Sequence, residues 1–200
     1  MKKILKDAFA LLMITLVAGI LLGFVYSITK EPIAQQEQLT KERSCQEVFA
    51  DAATFENDTE DLEAATAAMK AAGYEVQTLS EILVAKDASG SSLGYVLSLV
   101  DPEGYGGDIS FMMGIRLDGT LNGISILSIG ETAGLGMNAD TDAFKSQFAN
   151  KKVEKFTFTK TGSTSDSEID ALSGATITTT AMTNGVNAGL AAFSSLGGEK

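Results

Sequence analysis

The chain contains no histidine among its 200 residues and only one cysteine, Cys45. The first absence excludes histidine-based catalytic triads, most catalytic zinc sites and histidine-ligated haem. The second excludes an internal disulfide and any cysteine-rich metal centre, so cysteine usage does not identify the redox compartment. Positive charge is also scarce: 15 Lys and Arg stand against 26 Asp and Glu, a net charge of −11. No basic patch is present that would hold nucleic acid. Apolar residues are plentiful at 44%, which suits one domain with its own core and excludes a disordered polyelectrolyte. Whatever chemistry this chain performs is carried by something bound to it.

From Ala8 to Ile28 the chain runs for 21 residues without a charge. At about 1.5 Å rise per residue, that run crosses a hydrocarbon core of about 30 Å. It is longer than the apolar stretch of a cleavable signal peptide, about 7–15 residues, and a soluble core helix is rarely apolar on every face. Residues 1–30 are therefore expected to be a cytoplasmic stub and transmembrane anchor, and residues 31–200 one extracytoplasmic domain. Lys2, Lys3 and Lys6 place the N-terminus in the cytoplasm by the positive-inside bias. Residues 31–200 keep 11 cations against 25 acids, a charge of −14, which makes a soluble surface and one able to attract a complementary partner.

Residues 34–50 lack Gly and Pro and read as a helix continuing or restarting after Pro32, with Cys45 on it as a packed or idle thiol. Asp51 to Asp58 reads as loop. "DTEDLEAATAAMKAAGYE" predicts a helix stopped by Gly73. Two hairpins follow: "EILVAKDASGSSLGYVLSLV", and Phe111–Leu117 with Leu121–Ser128 across an Asp118-Gly119 turn. "DTDAFKSQFAN" predicts a short amphipathic helix, "VEKFTFTK" a strand, and Ala175 or Thr176 to about Phe193 a closing helix. The expected fold is α+β, a mainly antiparallel sheet with flanking helices, behind one N-terminal transmembrane helix.

Three glycine-rich blocks interrupt this scheme. "DPEGYGGDI" (101–109) and "ETAGLGMN" (131–138) each read alone as a turn or loop; the second is wrongly spaced for a dinucleotide fingerprint. In the third, "IDALSGATITTTAMTNGV" (169–186), five threonines lie between Thr176 and Thr183 with no histidine or cysteine to activate them. The plain reading is a helix N-terminus with Ser173 as cap and Gly174 easing the turn. The same feature supplies free backbone N–H groups and the positive end of a helix dipole, the physics of a phosphate site. Spacing does not name the owner of that phosphate.

Asp170-Ala171-Leu172-Ser173-Gly174-Ala175-Thr176 resembles the flavinylation motif D-x-x-[ST]-G-A-[TS] of the membrane-anchored FMN-binding domain family. "ETAGLG" resembles that family's E-T-P-G-L-G loop, with Ala133 in place of proline, and "GYGGDI" resembles its block G-[YF]-G-G-x-[IL]. All three stand in the family's order behind a single anchor helix, and together they cover nearly the whole exported part. The family includes the G subunit of the Rnf complex, which links ferredoxin and NAD to ion transport, and the C subunit of the sodium-pumping NADH:quinone reductase. The short chain is more similar to the Rnf member.

The resemblance implies FMN esterified through its phosphate to Thr176, attached by a separate flavin transferase that uses FAD and magnesium and supplies the catalytic base. It implies that Ser173, Gly174 and Ala175 shape the phosphate pocket, while Glu131, Thr132, Leu135 and Gly136 lie against the isoalloxazine. Tyr105 and Gly106 join this cofactor-binding set, Tyr105 either stacking on the ring or packing in the fold. Asp170 either orients the turn, assists recognition by the transferase, or stands as a plain turn-stabilising carboxylate; Thr178, Thr179 and Thr180 are expected as helix surface or phosphate neighbours. The implied function is an electron carrier, with the other membrane subunits of the complex as partners and no turnover of its own. A non-redox assembly module and a stand-alone extracytoplasmic flavin reductase are the other readings.

Overall fold

In a computed structural model, which describes residues 2–196, the N-terminal run is helical from Lys2 to Val48 (α1). Pro32 lies inside this helix, so the chain continues through it and does not restart. Leu, Ile and Phe side chains between Ile4 and Ile28 are exposed all round the helix, Leu22 at 72% and Phe24 at 63%, the pattern of a candidate membrane-crossing segment. Among the described residues this is the one helix long and apolar enough to cross a membrane, which makes it a candidate anchor. The chain divides into two compact units at Lys41/Glu42, so the last residues of α1 belong to the folded domain. Residues 1 and 197–200, included in the expected spans, lie outside the described residues.

The folded unit is built on a five-stranded antiparallel sheet in the order β1-β2-β3-β4-β5. Its strands are Thr54–Asn57, Thr78–Lys86, Ser92–Asp101, Ile109–Arg116 and Leu121–Ile129, with α2 (Leu62–Ala71) between the first two. The two expected hairpins are β2–β3 and β4–β5, joined by antiparallel pairing of β3 with β4. β1 corrects the reading of residues 51–58 as loop. It is an edge strand with mostly exposed side chains, held by backbone pairing such as Phe55 with Ala85, so it carries no apolar alternation to read.

Both faces of this sheet are covered, which explains the nearly continuous apolar strands. Leu97, Leu99, Phe111 and Met113 point to one side and pack with Ala65 and Met69 of α2 and with the closing helix α4, Thr176–Phe193. Val96 and Met112, one residue out of phase, point to the other and pack with Cys45, Val48 and Phe49 from the end of α1. Cys45 is buried there, its Sγ 3.7 Å from Met112 Sδ. α4 approaches the sheet closely because its inner face is small: a Cβ on Gly185 would stand 2.8 Å from the Phe111 ring.

The remaining elements are shorter than the sequence suggests. The expected helix after Thr141 is one turn (α3, Asp142–Lys145) continued by a 3-10 turn, Ser146–Phe148. Its apolar period survives, since Phe144 and Phe148 are buried and meet edge to face at 5.6 Å. "VEKFTFTK" is extended only at Thr157–Thr159 (β6), which pairs in parallel with β7, Glu168–Asp170.

A polar clasp ties the end of α1 to the sheet. Glu47 accepts a hydrogen bond from Ser125 at 2.6 Å and one from Lys145 at 3.0 Å, and Asn122 donates to the Val48 carbonyl at 2.9 Å. Partial burial pushes the Glu47 carboxyl up, but the Ser125 hydrogen bond and the Lys145 ammonium outweigh it and hold it below its ordinary value of 4.5. A depressed carboxylate contributes stability above its unfolded pKa and loses it as pH falls through the folded value. The Glu47 side chain is half exposed, so solvent screening keeps the effect small. Glu47→Gln is expected to lower the unfolding free energy by no more than about 1 kcal/mol near neutral pH. In urea titrations the gap between the two proteins should close as pH is taken below 4.5.

Candidate functional site

Three chain segments meet at one end of the sheet. The β3–β4 connection and the loop leaving β5 emerge side by side, because Ile109 pairs with Ile129 at that edge. α4 begins beside them. A cavity of about 530 Å³ lies between these segments, within the range of small-molecule and cofactor sites. Its wall is Tyr105 from the first block, Glu131, Thr132, Leu135 and Gly136 from the second, and Gly174 through Thr178 from the third.

The first connection is rooted in buried Asp101. Its carboxylate accepts hydrogen bonds from Glu103 N at 2.8 Å and Gln77 Nε2 at 2.9 Å, and Asn184 of α4 reaches Glu103 at 3.3 Å. Burial pushes the Asp101 carboxyl above its ordinary range against these hydrogen bonds, with the nearby Glu103 charge adding to the rise. Further along, the two loops run backbone against backbone: a Cβ on Gly106 would stand 2.2 Å from the Gly130 carbonyl. Buried Glu131 joins them, its Oε1 accepting from Tyr105 N at 2.7 Å and Gly106 N at 3.3 Å.

The second loop turns on Gly134, at φ +76°, and closes through the Thr132 carbonyl, which accepts from Leu135 N and Met137 N. It enters a 3-10 turn at Gly136. A Cβ there would lie 2.6 Å from both Glu131 Oε2 and Thr178 Oγ1, so only glycine leaves the floor of the cavity open. Leu135 crosses to the third block, its Cδ2 3.1 Å from where a Cβ on Gly174 would be.

Gly174, at φ +71°, turns the chain into α4. Ser173 is not the cap. That position falls one residue before Thr176, at Ala175, and no side chain caps the helix. The first-turn N–H groups and the positive end of the dipole are left facing the cavity. Ser173 cannot cap the helix because it stands exposed two residues before the cap position, ahead of the Gly174 turn.

The threonines divide by their partners. Thr179 donates to the Ala175 carbonyl at 2.9 Å, Thr180 to Thr176 at 2.8 Å and Thr183 to Thr179 at 2.7 Å, each satisfied four residues back. Thr179 Oγ1 also accepts from Leu172 N, locking the turn before the helix. Thr176 and Thr178 remain, and both line the cavity, the first exposed and the second buried. Thr178 and Thr179 are thus not on the helix surface. They face inward because the i, i+4 pattern of α4 puts Thr178 above buried Met182, a signal legible in the sequence.

Tyr105, Glu131, Thr132, Leu135, Gly136, Gly174, Ala175 and Thr176 line one space, while Gly106, Asp170 and Ser173 are not part of its wall. Tyr105 is 71% exposed, so it does not pack in the core. Asp170 faces away: its carboxylate accepts from Ser163 N, and its own N–H is held by Gln147. A larger hollow, about 770 Å³, lies at the other end of α4 between Tyr74, Lys152 and Phe193, and none of the three glycine-rich blocks reaches it.

Residues 104–191 match the FMN-binding domain, and residues 1–48 match the RnfG N-terminal region. The fold is shared with the crystal structure of the C subunit of a Na(+)-translocating NADH-quinone reductase from Parabacteroides distasonis. The TM-score is 0.56 at 18% identity, over 83% of this chain and 96% of that one. The class is therefore an FMN-binding domain behind an apolar helix, and an uncapped helix start beside an open cavity suits a phosphorylated flavin. The G subunit of the Na(+)-translocating ferredoxin:NAD(+) oxidoreductase complex of Acetobacterium woodii is 30% identical over 98% of this chain and 94% of its own. Its proton-translocating counterpart from Clostridium ljungdahlii is 34% identical over 85% and 80%. The chain belongs to the G-subunit family of ion-translocating Rnf oxidoreductase complexes.

The backbone at Gly136 has no room for a side chain. Gly136→Ala should lower the unfolding free energy by about 1–3 kcal/mol, the usual cost of forcing a methyl into a filled site. Thermal denaturation of the detergent-solubilised protein would register it as a lower midpoint; an unchanged midpoint would mean that the Glu131 and Thr178 side chains yield without cost.

Proposed function

We propose that this chain carries electrons within a membrane-bound ferredoxin:NAD oxidoreductase complex, through one FMN joined by its phosphate to Thr176. The observation that carries this reading is the cavity itself, walled by all three glycine-rich blocks and ending on the exposed Thr176 hydroxyl at an uncapped helix start. A separate flavin transferase must reach the oxygen it modifies. Thr176 is accessible, whereas Thr178, Thr179 and Thr183 are buried and Thr180 is spent on the helix backbone.

Attachment would join the Thr176 oxygen to the FMN phosphorus of FAD, with the phosphoanhydride broken and AMP as the leaving group. The hydroxyl proton passes to a base of the transferase, so this chain needs none of its own. The first-turn amides of α4 and its dipole would hold the flavin phosphate. Leu135 would offer the ring an apolar wall, Tyr105 an aromatic face and Thr132 hydrogen-bonding groups. When bound, the flavin supplies electron-transfer chemistry that no side chain here possesses.

The ester keeps the cofactor on a domain that this reading places outside the cytoplasm, with residues 1–30 as stub and anchor and residues 31–200 as the flavin domain. The three N-terminal lysines support that orientation. The anchor holds the domain at the membrane among its partner subunits, so local concentration replaces strong docking affinity.

Co-expression with a flavin transferase should give a protein that fluoresces in a denaturing gel and gains the mass of one FMN less water. Thr176→Ala should lose both signals while keeping the circular dichroism and melting behaviour of the wild type. A colourless wild type under these conditions would favour a non-redox assembly module. Turnover of soluble donor and acceptor by the purified chain alone would favour a flavin reductase.

A further inference from the structure

The floor of the cavity holds a polar pair that the attachment chemistry does not use. Glu131 is only 8% exposed and Thr178 only 1%, yet both line the space. Glu131 divides its labour between its two oxygens. Oε1 takes the two loop N–H groups, whereas Oε2 has no hydrogen-bond donor among the described residues. The Thr178 hydroxyl is likewise without a partner there, unlike Thr179, Thr180 and Thr183 on the same helix. No fully enclosed side-chain oxygen or nitrogen among the described residues lacks a partner, so these two oxygens open onto the cavity. Both lie 2.6 Å from the point that a Cβ on Gly136 would occupy, and the glycine keeps that point empty. A carboxylate oxygen and a hydroxyl on largely buried side chains cost free energy when unsatisfied, which a bound group can recover.

Resting on the flavin reading above, we propose that Glu131 Oε2 and Thr178 Oγ1 grip the polar edge of the isoalloxazine and set its reduction potential in opposite directions. The pair is chemically complementary to that edge, where a ring N–H stands beside a carbonyl. The carboxylate oxygen accepts from the N–H, and the hydroxyl donates to the carbonyl. Reduction adds electron density to the ring, so a neighbouring carboxylate disfavours it and a hydroxyl donor favours it. Glu131 thereby does two separable jobs, one oxygen holding the loops together and the other acting on the cofactor.

Two near-isosteric substitutions separate these roles in full-length protein co-expressed with flavin transferase and purified in detergent. Glu131→Gln keeps a carbonyl oxygen for Tyr105 N and Gly106 N but turns the cavity-facing oxygen into a donor. Thr178→Val removes only the hydroxyl. In dithionite titrations read by flavin absorbance against a mediator dye, Glu131→Gln should favour the reduced flavin about tenfold at a fixed potential. That is a rise of about 30 mV for a two-electron couple. Thr178→Val should move the same equilibrium toward the oxidised form, and both should displace the visible absorption bands. A purely structural role predicts shifts of one sign accompanied by lower melting temperatures, and would overturn the proposal. So would titrations that superimpose on the wild type, as expected if the pair meets the ribityl chain. If Glu131→Gln takes up no flavin, the sign of the Thr178→Val shift decides alone. A yellow wild type with unshifted variants sinks only this assignment, whereas a colourless wild type sinks the flavin reading with it.

Discussion

A carboxylate oxygen with two backbone N–H groups in front of it organises the functional end of this protein. Glu131 Oε1 joins the loop after β5 to the β3–β4 connection, and the two backbones then run too close for any side chain at Gly106. Hydrogen bonds to a charged acceptor are stronger than neutral ones, and this one is buried, which raises the cost of breaking it. The cavity lies between these joined loops and the start of α4. Substitution of Glu131 by an apolar residue would leave two loop amides without acceptors and the first and second blocks without a join.

The threonines of α4 resolve a puzzle that composition alone poses. Hydroxyls in a helix interior ordinarily bond to the carbonyl four residues back, and Thr179, Thr180 and Thr183 do so. Their role is to satisfy a helix whose inner face lies against the sheet with little side-chain bulk. Only where the helix begins, and no earlier carbonyl is available, do hydroxyls remain for a ligand. Thr176 and Thr178 therefore owe their availability to position in the helix and not to any special activation. With no histidine in the chain, the family's cofactor, FMN, is the group able to supply redox chemistry here.

The sheet links this site to the end of α1. Strands β2 to β5 alternate between two cores, one under α4 and one under Cys45, Val48 and Phe49, so they are fixed from both sides. The Glu47–Ser125–Lys145 clasp adds direction to that packing more than energy, since its charges are partly screened. Lys145 also stands 3.6 Å from Asp140, the last residue of the 3-10 turn that starts at Gly136. The same short segment thus borders the cavity at one end and the root of the N-terminal helix at the other.

The apolar N-terminal run, the two hairpins and the chain order of the three blocks were legible because each is a local pattern: hydropathy, alternation, or glycine at a turn. Leu135, Gly174 and Thr176 line one cavity, a grouping that followed from the resemblance of the blocks to a known family and not from their spacing. Edge strand β1 was not legible, because backbone pairing leaves no mark on exposed side chains. Nor was the cap at Ala175, which depends on the φ of Gly174, or the shortness of α3. The amino-acid sequence by itself determined which groups are available to the site and where along the chain they stand. Only the tertiary structure decided which oxygens are spent and which face the cavity, because hydrogen-bond partners from distant segments are assigned when those segments pack together.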